Sequence, residues 1–169
     1  MRTVRVPAFC LTLLIGCSPI NVPATGGGTA PPPTSTPASS SVAADVVRFT
    51  NEQRVRNGLP AFVTSARLME AARLHAQQMA QHQRMDHTIS GAQYPTLQSR
   101  HEAAEYLYRN AAENVAWNRQ SPESVVAGWM SSAGHRANIL NPNLTEIGAA
   151  MARSAKGEPY WIQVFGRPR

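Results

Sequence analysis

Beyond residue 17 the chain has no cysteine; its two are Cys10 and Cys17. The body of the chain therefore has no disulfide, no thiolate nucleophile and no sulfur ligand for a metal, and its stability has to come from buried apolar surface. A domain of this size removes about two-thirds of its unfolded surface from water, enough to supply that stability. Aromatic residues make up 7% of the 169 positions, and Lys156 is the sole lysine among 16 basic residues. The arginines are scattered from Arg48 to Arg169 without a run and without interleaved aromatics, which argues against a nucleic-acid partner. The formal charge of +6 falls by two, to +4, if Arg2 and Arg5 leave with an amino-terminal signal. Such a balance gives no more than a mild attraction to anionic headgroups or wall polymers. The apolar run from Ala8 to Ile15 is far short of the ~20 residues that a spanning helix needs.

Preceded by Arg2 and Arg5, that short run reads as an export signal over residues 1–16. It leads into Leu14-Ile15-Gly16-Cys17, which resembles a bacterial lipobox. The resemblance implies cleavage before Cys17 and acylation of its thiol and new amine; the alternative is an ordinary cleaved signal with an incidental cysteine. Two or more acyl chains, at ~0.8 kcal/mol per buried methylene, hold a protein on a bilayer stably, so lipidated Cys17 would tether the chain without a transmembrane helix. Ser18 rather than aspartate follows the cysteine, compatible with an outer membrane if the host has one. From Ser18 to Ser41 the composition is dominated by Pro, Gly, Ser, Thr and Ala, with Gly26-Gly27-Gly28 and Pro31-Pro32-Pro33. Residues 17–41 thus read as lipid anchor and tether, spanning ~27 Å as a flexible coil and up to ~75 Å in polyproline geometry.

The folded domain is expected over residues 42–169. Val46, Phe49 and Gln53 share a helical face that ends near Gly58 and Pro60, and Leu68, Ala72, His75 and Met79 form the stripe of a second helix from about Ser65 to His82. On that stripe His75 reads as a core residue with one satisfied nitrogen, and His82 as a solvated residue suited to the helix dipole. Ser99-Arg100-His101-Glu102 fits a capping box opening a helix to about Asn110. Within it His101-Glu102-Ala103-Ala104-Glu105 resembles the zinc-protease pattern HExxH, but Glu105 stands where the second histidine must be, which argues against a metal role. Glu113 to Asn118 reads as a strand. A helix from Pro122 to Ala133 is expected to stop at a positive-φ Gly134, leaving His135 just past it. Ile147 to Met151 and Tyr160 to Phe165 read as strands joined through Lys156-Gly157-Glu158-Pro159. In the last, Tyr160, Ile162 and Val164 face one way and Trp161, Gln163 and Phe165 the other; two apolar faces need cover on both sides. Trp117, Trp129 and Trp161 read as core or cleft-wall residues.

Four stretches carry a family resemblance: Met85-Asp86-His87, Ala112-Glu113-Asn114-Val115-Ala116, Gly134-His135-Arg136-Ala137-Asn138-Ile139-Leu140, and Tyr160-Trp161-Ile162-Gln163-Val164-Phe165-Gly166. In that order, over roughly Val42 to Arg169, they resemble the bacterial form of the CAP superfamily, the cysteine-rich secretory, antigen 5 and pathogenesis-related 1 proteins. The resemblance implies an α+β fold, a three-layer α/β/α sandwich. It also implies a cleft lined by two histidines and two glutamates, in which some members bind a divalent metal. Carried over by motif, the first histidine is His87, the first glutamate Glu113 and the second histidine His135. Ser132 stands where the second glutamate would fall.

His87, Glu113 and His135 could hold a zinc ion with a fourth position open to water. Hydrolysis would also want a second carboxylate as base, which Ser132 cannot be near neutral pH. A Ser132–His135 nucleophile pair lacks a nearby carboxylate in sequence to orient the imidazole. In a metal-free arrangement Glu113 would accept hydrogen bonds from both His87 and His135. Gln163, on the face of Trp161 and Phe165, is expected to floor the cleft. The leading reading is a monomeric, lipid-tethered protein of the bacterial envelope, outside the cytoplasm, whose cleft takes an apolar or amphipathic ligand such as a lipid or a cell-wall component. The alternatives are a metal-dependent peptidase or esterase of the envelope, and a surface interaction protein with a vestigial cleft.

Overall fold

The strand over Pro159–Pro168 is buried along eight consecutive residues from Pro159 to Gly166, and a strand hidden on both faces fixes the layering of everything around it. A computed structural model of the chain describes residues 37–169, with side chains from Ser41 onward. The signal over 1–16, lipidation at Cys17 and the tether up to residue 36 lie outside the described residues.

In chain order the elements are α1 (Pro37–Arg56), β1 (Val63–Thr64), α2 (Ala66–His82), α3 (Leu97–Ala103), β2 (Tyr108–Trp117), α4 (Pro122–Ser131), α5 (Ala133–Ile139), β3 (Glu146–Arg153) and β4 (Pro159–Pro168). The four strands form one sheet in the order β1-β3-β4-β2. β1 runs parallel to β3, whereas β4 pairs antiparallel with both β3 and β2. Trp161 and Phe165 pack with Val46 and Val47 of α1, Val125, Val126 and Trp129 of α4, and Ile139 of α5. Tyr160, Ile162 and Val164 pack with Leu68, Ala72, Ala76 and Met79 of α2. The alternation seen in the sequence of β4 is thus the α/β/α sandwich itself.

Local chemistry sets the boundaries. α1 opens at Pro37, inside the stretch expected to be tether, and proline's fixed φ suits a first helical turn. α3 starts three residues earlier than its sequence suggests: Thr96, not Ser99, is the N-cap, and Thr96 and Ser99 form the capping box. It also ends at Ala103 rather than near Asn110, because Glu105 turns left-handed (φ 55°) and the following residues pair with β4, Tyr108 opposite Pro168 and Ala112 opposite Phe165. Sheet pairing there overrides local helix preference. Gly134 does not terminate a helix. The break falls at Ser132, whose extended backbone (φ −98°, ψ 124°) closes α4 and caps α5, so His135 lies in the first turn of a new helix. Trp129 and Trp161 are buried, but Trp117 is 45% exposed; it ends β2, just before the chain turns away at Asn118 (φ 56°). Among the described residues no helix is long and apolar enough to cross a membrane.

Two contacts hold the layers at their spacing. Arg54 of α1, 1% exposed, donates to the carbonyls of Pro60 (2.8 Å), Ile139 (2.7 Å) and Asn141 (3.0 Å), and lies 3.7 Å over the Phe62 ring. It thereby satisfies carbonyls at the end of α5. At Gly148 of β3 an added Cβ would come within 2.1 to 2.4 Å of the backbone of Leu68 and Met69, so the first turn of α2 rests directly on bare strand.

Gly148→Ala should therefore cost about 2–3 kcal/mol in urea unfolding, as overpacking against backbone that cannot yield. Gly134→Ala, in α5 with nothing within 4 Å, should gain about 0.5–1 kcal/mol. Equal effects at the two positions would contradict the α2–β3 contact.

Candidate functional site

Glu113 sits mid-strand in β2, paired with Val164 of β4 and 7% exposed. A carboxylate so placed needs counter-charge, and two side chains provide it. Arg100 of α3, fully buried, directs Nη2 at both carboxylate oxygens (3.1 and 2.9 Å). The Nδ1 of His87 lies 2.8 Å from Oε1 and is therefore the donor to this carboxylate. Burial pushes the Glu113 pKa up, but the His87 hydrogen bond and the Arg100 charge outweigh it and hold the group below its ordinary 4.5. Glu113 raises the His87 pKa in return.

The same Arg100 shapes the loop that carries His87. Its guanidinium also donates to the carbonyls of His87 (3.2 Å), Pro95 (3.1 Å) and Tyr94 (3.4 Å). α2 ends in a left-handed Gln83, and Asp86 accepts from the Thr88 N–H at 3.2 Å. His87 is left with its ring edge open, 56% exposed.

Behind Glu113 lies His75, fully buried, its Nε2 3.9 Å from Glu113 Oε1. Neither ring nitrogen meets a partner at full hydrogen-bond geometry, and the backbone of Asp86 is the nearest group to act on the ring as an acceptor. Burial lowers its pKa to about 4, and it is neutral at pH 7. His101 is also fully buried, donating from Nδ1 to the Leu97 carbonyl at 2.7 Å.

His135 is half-buried in α5. Its pKa is lowered by burial and by the charge of nearby His87. Its backbone carbonyl accepts from Asn114 Nδ2 at 3.1 Å. Its ring makes no hydrogen bond to Glu113 among the described residues, so the carboxylate serves one imidazole, not two. Ser132 is half-buried at the α4–α5 joint, without a hydrogen bond to His135, and the nucleophile pair does not form. Gln163 corrects the expectation most clearly. It is fully buried, bonded to Thr50 of α1 and accepting from Asn114 Nδ2 at 3.3 Å. It braces the core and does not floor a cleft, since its strand face is covered by α1.

The open space lies on the other side of His87. A groove of about 630 Å³ is bounded by the His87–Thr88 loop, Leu97 and Gln98 of α3, Tyr108 and Glu113 of β2, and Asn138 of α5. Its size falls within the range of ordinary ligand clefts, roughly 300–1,000 Å³. Neither Ser132, His135 nor Gln163 is among its walls.

Arg100, Asn138 and Tyr108 had no assigned role in the sequence. A signal for Arg100 existed: Leu97, Arg100, His101 and Ala104 follow helical spacing, and a charge on a buried stripe implies a buried partner. Nothing comparable marks Tyr108, whose place depends on the strand that replaces the expected helix.

The three expected metal ligands do not fit a zinc ion as arranged. Among the described residues no three His, Cys, Asp or Glu side chains gather closely enough to hold a metal. Glu113 already accepts from His87 and Arg100, and a guanidinium at hydrogen-bond distance opposes a second cation there.

The model of the cysteine-rich secretory protein family, CAP, matches residues 47–165. The uncharacterized protein YkwD of Bacillus subtilis is 38% identical over 138 residues, covering 78% of this chain and 51% of that protein. The uncharacterized membrane protein YlbC of the same organism is 30% identical over 120 residues, covering 71% and 33%. The chain thus spans about half the length of one curated relative and a third of the other. Among solved structures, an extracellular protein of Bacillus anthracis containing an SCP domain superposes with a TM-score of 0.68 at 24% identity, covering 78% of this chain and 44% of that one. An outer surface protein of Borrelia burgdorferi gives 0.66 at 18%, covering 73% and 90%.

Histidine-resolved NMR titration should find His87 above 6.5 and His75 near 4. His75 binds its proton less readily folded than unfolded, so its contribution is whole above pH 6.5 and about 2–3 kcal/mol is lost as the pH falls to 4. His87 has the opposite sign: its contribution is whole below pH 6.5 and fades as the pH rises through its raised folded pKa. His75→Leu should flatten the acid loss seen in urea unfolding. An ordinary titration of His75 would contradict its burial beside Glu113. In calorimetry, micromolar zinc should give wild type no heat that a His87→Ala, His135→Ala double variant lacks; a heat lost in the double variant would restore the metal site.

Proposed function

The chain belongs to the cysteine-rich secretory protein (CAP) family, and from that premise we propose that it is an envelope binding module, anchored through lipidated Cys17, whose groove beside His87 takes an amphipathic ligand. The observation that carries this is the state of His87. Its Nδ1 is occupied by Glu113 at 2.8 Å, which orients the ring and leaves Nε2 facing solvent beside an open groove. An oriented polar edge next to partly apolar walls is the form of a recognition site.

Membership of a secretory protein family supports an extracytoplasmic location, and two structures of the same fold are described as an extracellular protein and an outer surface protein. The export signal and the lipobox-like Leu14-Ile15-Gly16-Cys17 agree with it. The walls modify the expectation of a pure lipid. Leu97 and Ala112 are the only aliphatic residues lining the groove, against Thr88, Thr96, Gln98 and Asn138, so the ligand must offer hydrogen-bonding groups as well as apolar surface. The hydrolase reading has less support: Glu113 is neutralised by Arg100 and Ser132 lies outside the groove, so of its expected groups only the His87 imidazole, oriented by Glu113, stands beside the open space as a base.

One set of variants tests both halves in the producing bacterium. Cys17→Ser should move the chain from the membrane to the soluble fraction. Wall and membrane fragments should still adsorb that soluble form, and Thr88→Trp, which fills the groove from its exposed rim, should reduce adsorption about tenfold or more. Adsorption unchanged by Thr88→Trp would remove the groove from the function; membrane retention of Cys17→Ser would remove the lipid anchor.

A further inference from the structure

The polarity of the groove follows from a hydrogen-bond chain that starts far from it. Thr50 Oγ1 donates to the Val46 carbonyl at 2.7 Å and accepts from Gln163 Nε2. Gln163 Oε1 accepts from Asn114 Nδ2, and Asn114 Oδ1 accepts from Asn138 Nδ2 at 2.9 Å. Because Asn138 Nδ2 also donates to the Glu113 carbonyl at 3.3 Å, each amide in the series has only one consistent orientation. Asn138 Oδ1 is then left at the groove wall with no partner among the described residues, a fixed acceptor.

Opposite in character is Tyr108. Its ring is backed by His101, edge-on at 4.9 Å, and by Tyr106, near-parallel at 6.4 Å. Packing of that kind holds an aromatic platform rigid at the groove wall, so no freedom of the ring is lost on binding. The Tyr108 hydroxyl makes no hydrogen bond among the described residues. Gln98 donates to Glu102 at 2.8 Å and keeps its second amide hydrogen and its carbonyl.

Charge narrows the ligand further. The groove walls contain no Asp, Lys or Arg, and the one carboxylate, Glu113, is paired. Apart from the His87 imidazole nothing there offers charge to a strongly anionic or cationic partner, and two aliphatic side chains are too few to line a channel for an acyl chain. A rigid aromatic face, a fixed amide acceptor, free amide and hydroxyl donors and a small apolar wall describe a site for a neutral sugar. They fit best a sugar carrying an acetamido group, whose N–H needs an acceptor, whose carbonyl needs a donor and whose methyl needs an apolar contact.

Resting on the reading of this groove as a ligand cleft, we propose that its ligand is an oligosaccharide of N-acetylated amino sugars, stacked on Tyr108 and read by Asn138, Gln98 and His87. Asn138 Oδ1 takes the acetamido N–H, Gln98 or the Tyr108 hydroxyl serves its carbonyl, and Leu97 receives its methyl. His87 Nε2 faces the sugar hydroxyls. Lipid headgroups bearing the same sugars share this chemistry; vesicles carrying an amino-sugar glycolipid, run beside the free tetrasaccharide, separate the two sources, and the free glycan is expected to bind at least as tightly.

The experiment is calorimetry on the full chain as the producing cell makes it, with tetra-N-acetylchitotetraose as probe and cellotetraose, which lacks the acetamido groups, as control. Saturable binding of the first is expected, about tenfold or more tighter than the second, with Tyr108→Leu weakening it about tenfold. Amide shift changes in the wild-type chain, a readout independent of whether the variants fold, should centre on residues 87–98 and 108–113. Absence of saturable heat, equal affinity for the two sugars, shift changes elsewhere, or displacement of the glycan by phospholipid vesicles free of amino sugar would overturn the proposal. If the glycan fails while Thr88→Trp still abolishes adsorption to envelope fragments, the ligand class is wrong and the cleft stands; if Thr88→Trp has no effect there, the cleft reading falls first.

Discussion

An ionised carboxylate lies inside the sandwich, and most of the site is the consequence of keeping it satisfied. Glu113 sits on a central stretch of β2 where water is largely excluded, and a bare charge there would cost several kcal/mol. Arg100 supplies the counter-charge from α3, and having been drawn into the interior it needs acceptors of its own. It finds them in the carbonyls of His87, Tyr94 and Pro95, so the long connection between α2 and α3 is shaped around one guanidinium. The exposed imidazole of His87 then completes the carboxylate's shell. A carboxylate largely withdrawn from water thereby fixes the orientation of an exposed imidazole.

A second set of buried polar groups places α5. Two short helices joined at Ser132 would have little reason to stay in register on the sheet, since α5 has only seven residues and a single buried apolar side chain, Ile139. Its position depends instead on Asn114 and Asn138, tied through Gln163 to Thr50 of α1, and on Arg54 at its carboxyl end. Such networks matter less for the energy of each bond than for the single arrangement they allow: every amide must be satisfied at once, and only one orientation of each does so.

These two networks also explain what the sequence could and could not convey. The alternating faces of β4, the stripe of α2 and the Ser121–Pro122 start of α4 are periodic or local signals, and the structure follows them. Glu113 and His87 were recoverable because motif order carries them. Gln163 was misread because alternation places a residue on a face without saying what covers that face; here α1 does. Gly134 was misread because a glycine after a helix can end it or simply continue into another, and the extended backbone at Ser132 decided the matter. The helix expected through residues 105–110 was lost to pairing with β4, and with it went any view of Tyr108 as part of the site. What was missed depends on contacts between residues far apart in sequence, and no window along the chain contains both partners.

The presence of Arg100 bears on how a cleft with this family's architecture operates here. A buried carboxylate beside two imidazoles can be neutralised by a cation that comes and goes or by one that is part of the chain. A bound metal would leave the imidazoles as ligands and make the site a centre for polarising water. A guanidinium makes the carboxylate a permanent acceptor, so that His87 is oriented as a hydrogen-bonding group and its free edge is directed outward. Ser132, standing where the family resemblance would put a second carboxylate, points the same way, since it brings no charge that a metal or a proton would have to balance. Charge is then balanced without any external ion, and what faces the groove is a set of fixed donors and acceptors beside one rigid ring. That composition suits recognition, its groups being arranged to match a partner's polar atoms, and the one proton acceptor among them is the His87 imidazole held by Glu113.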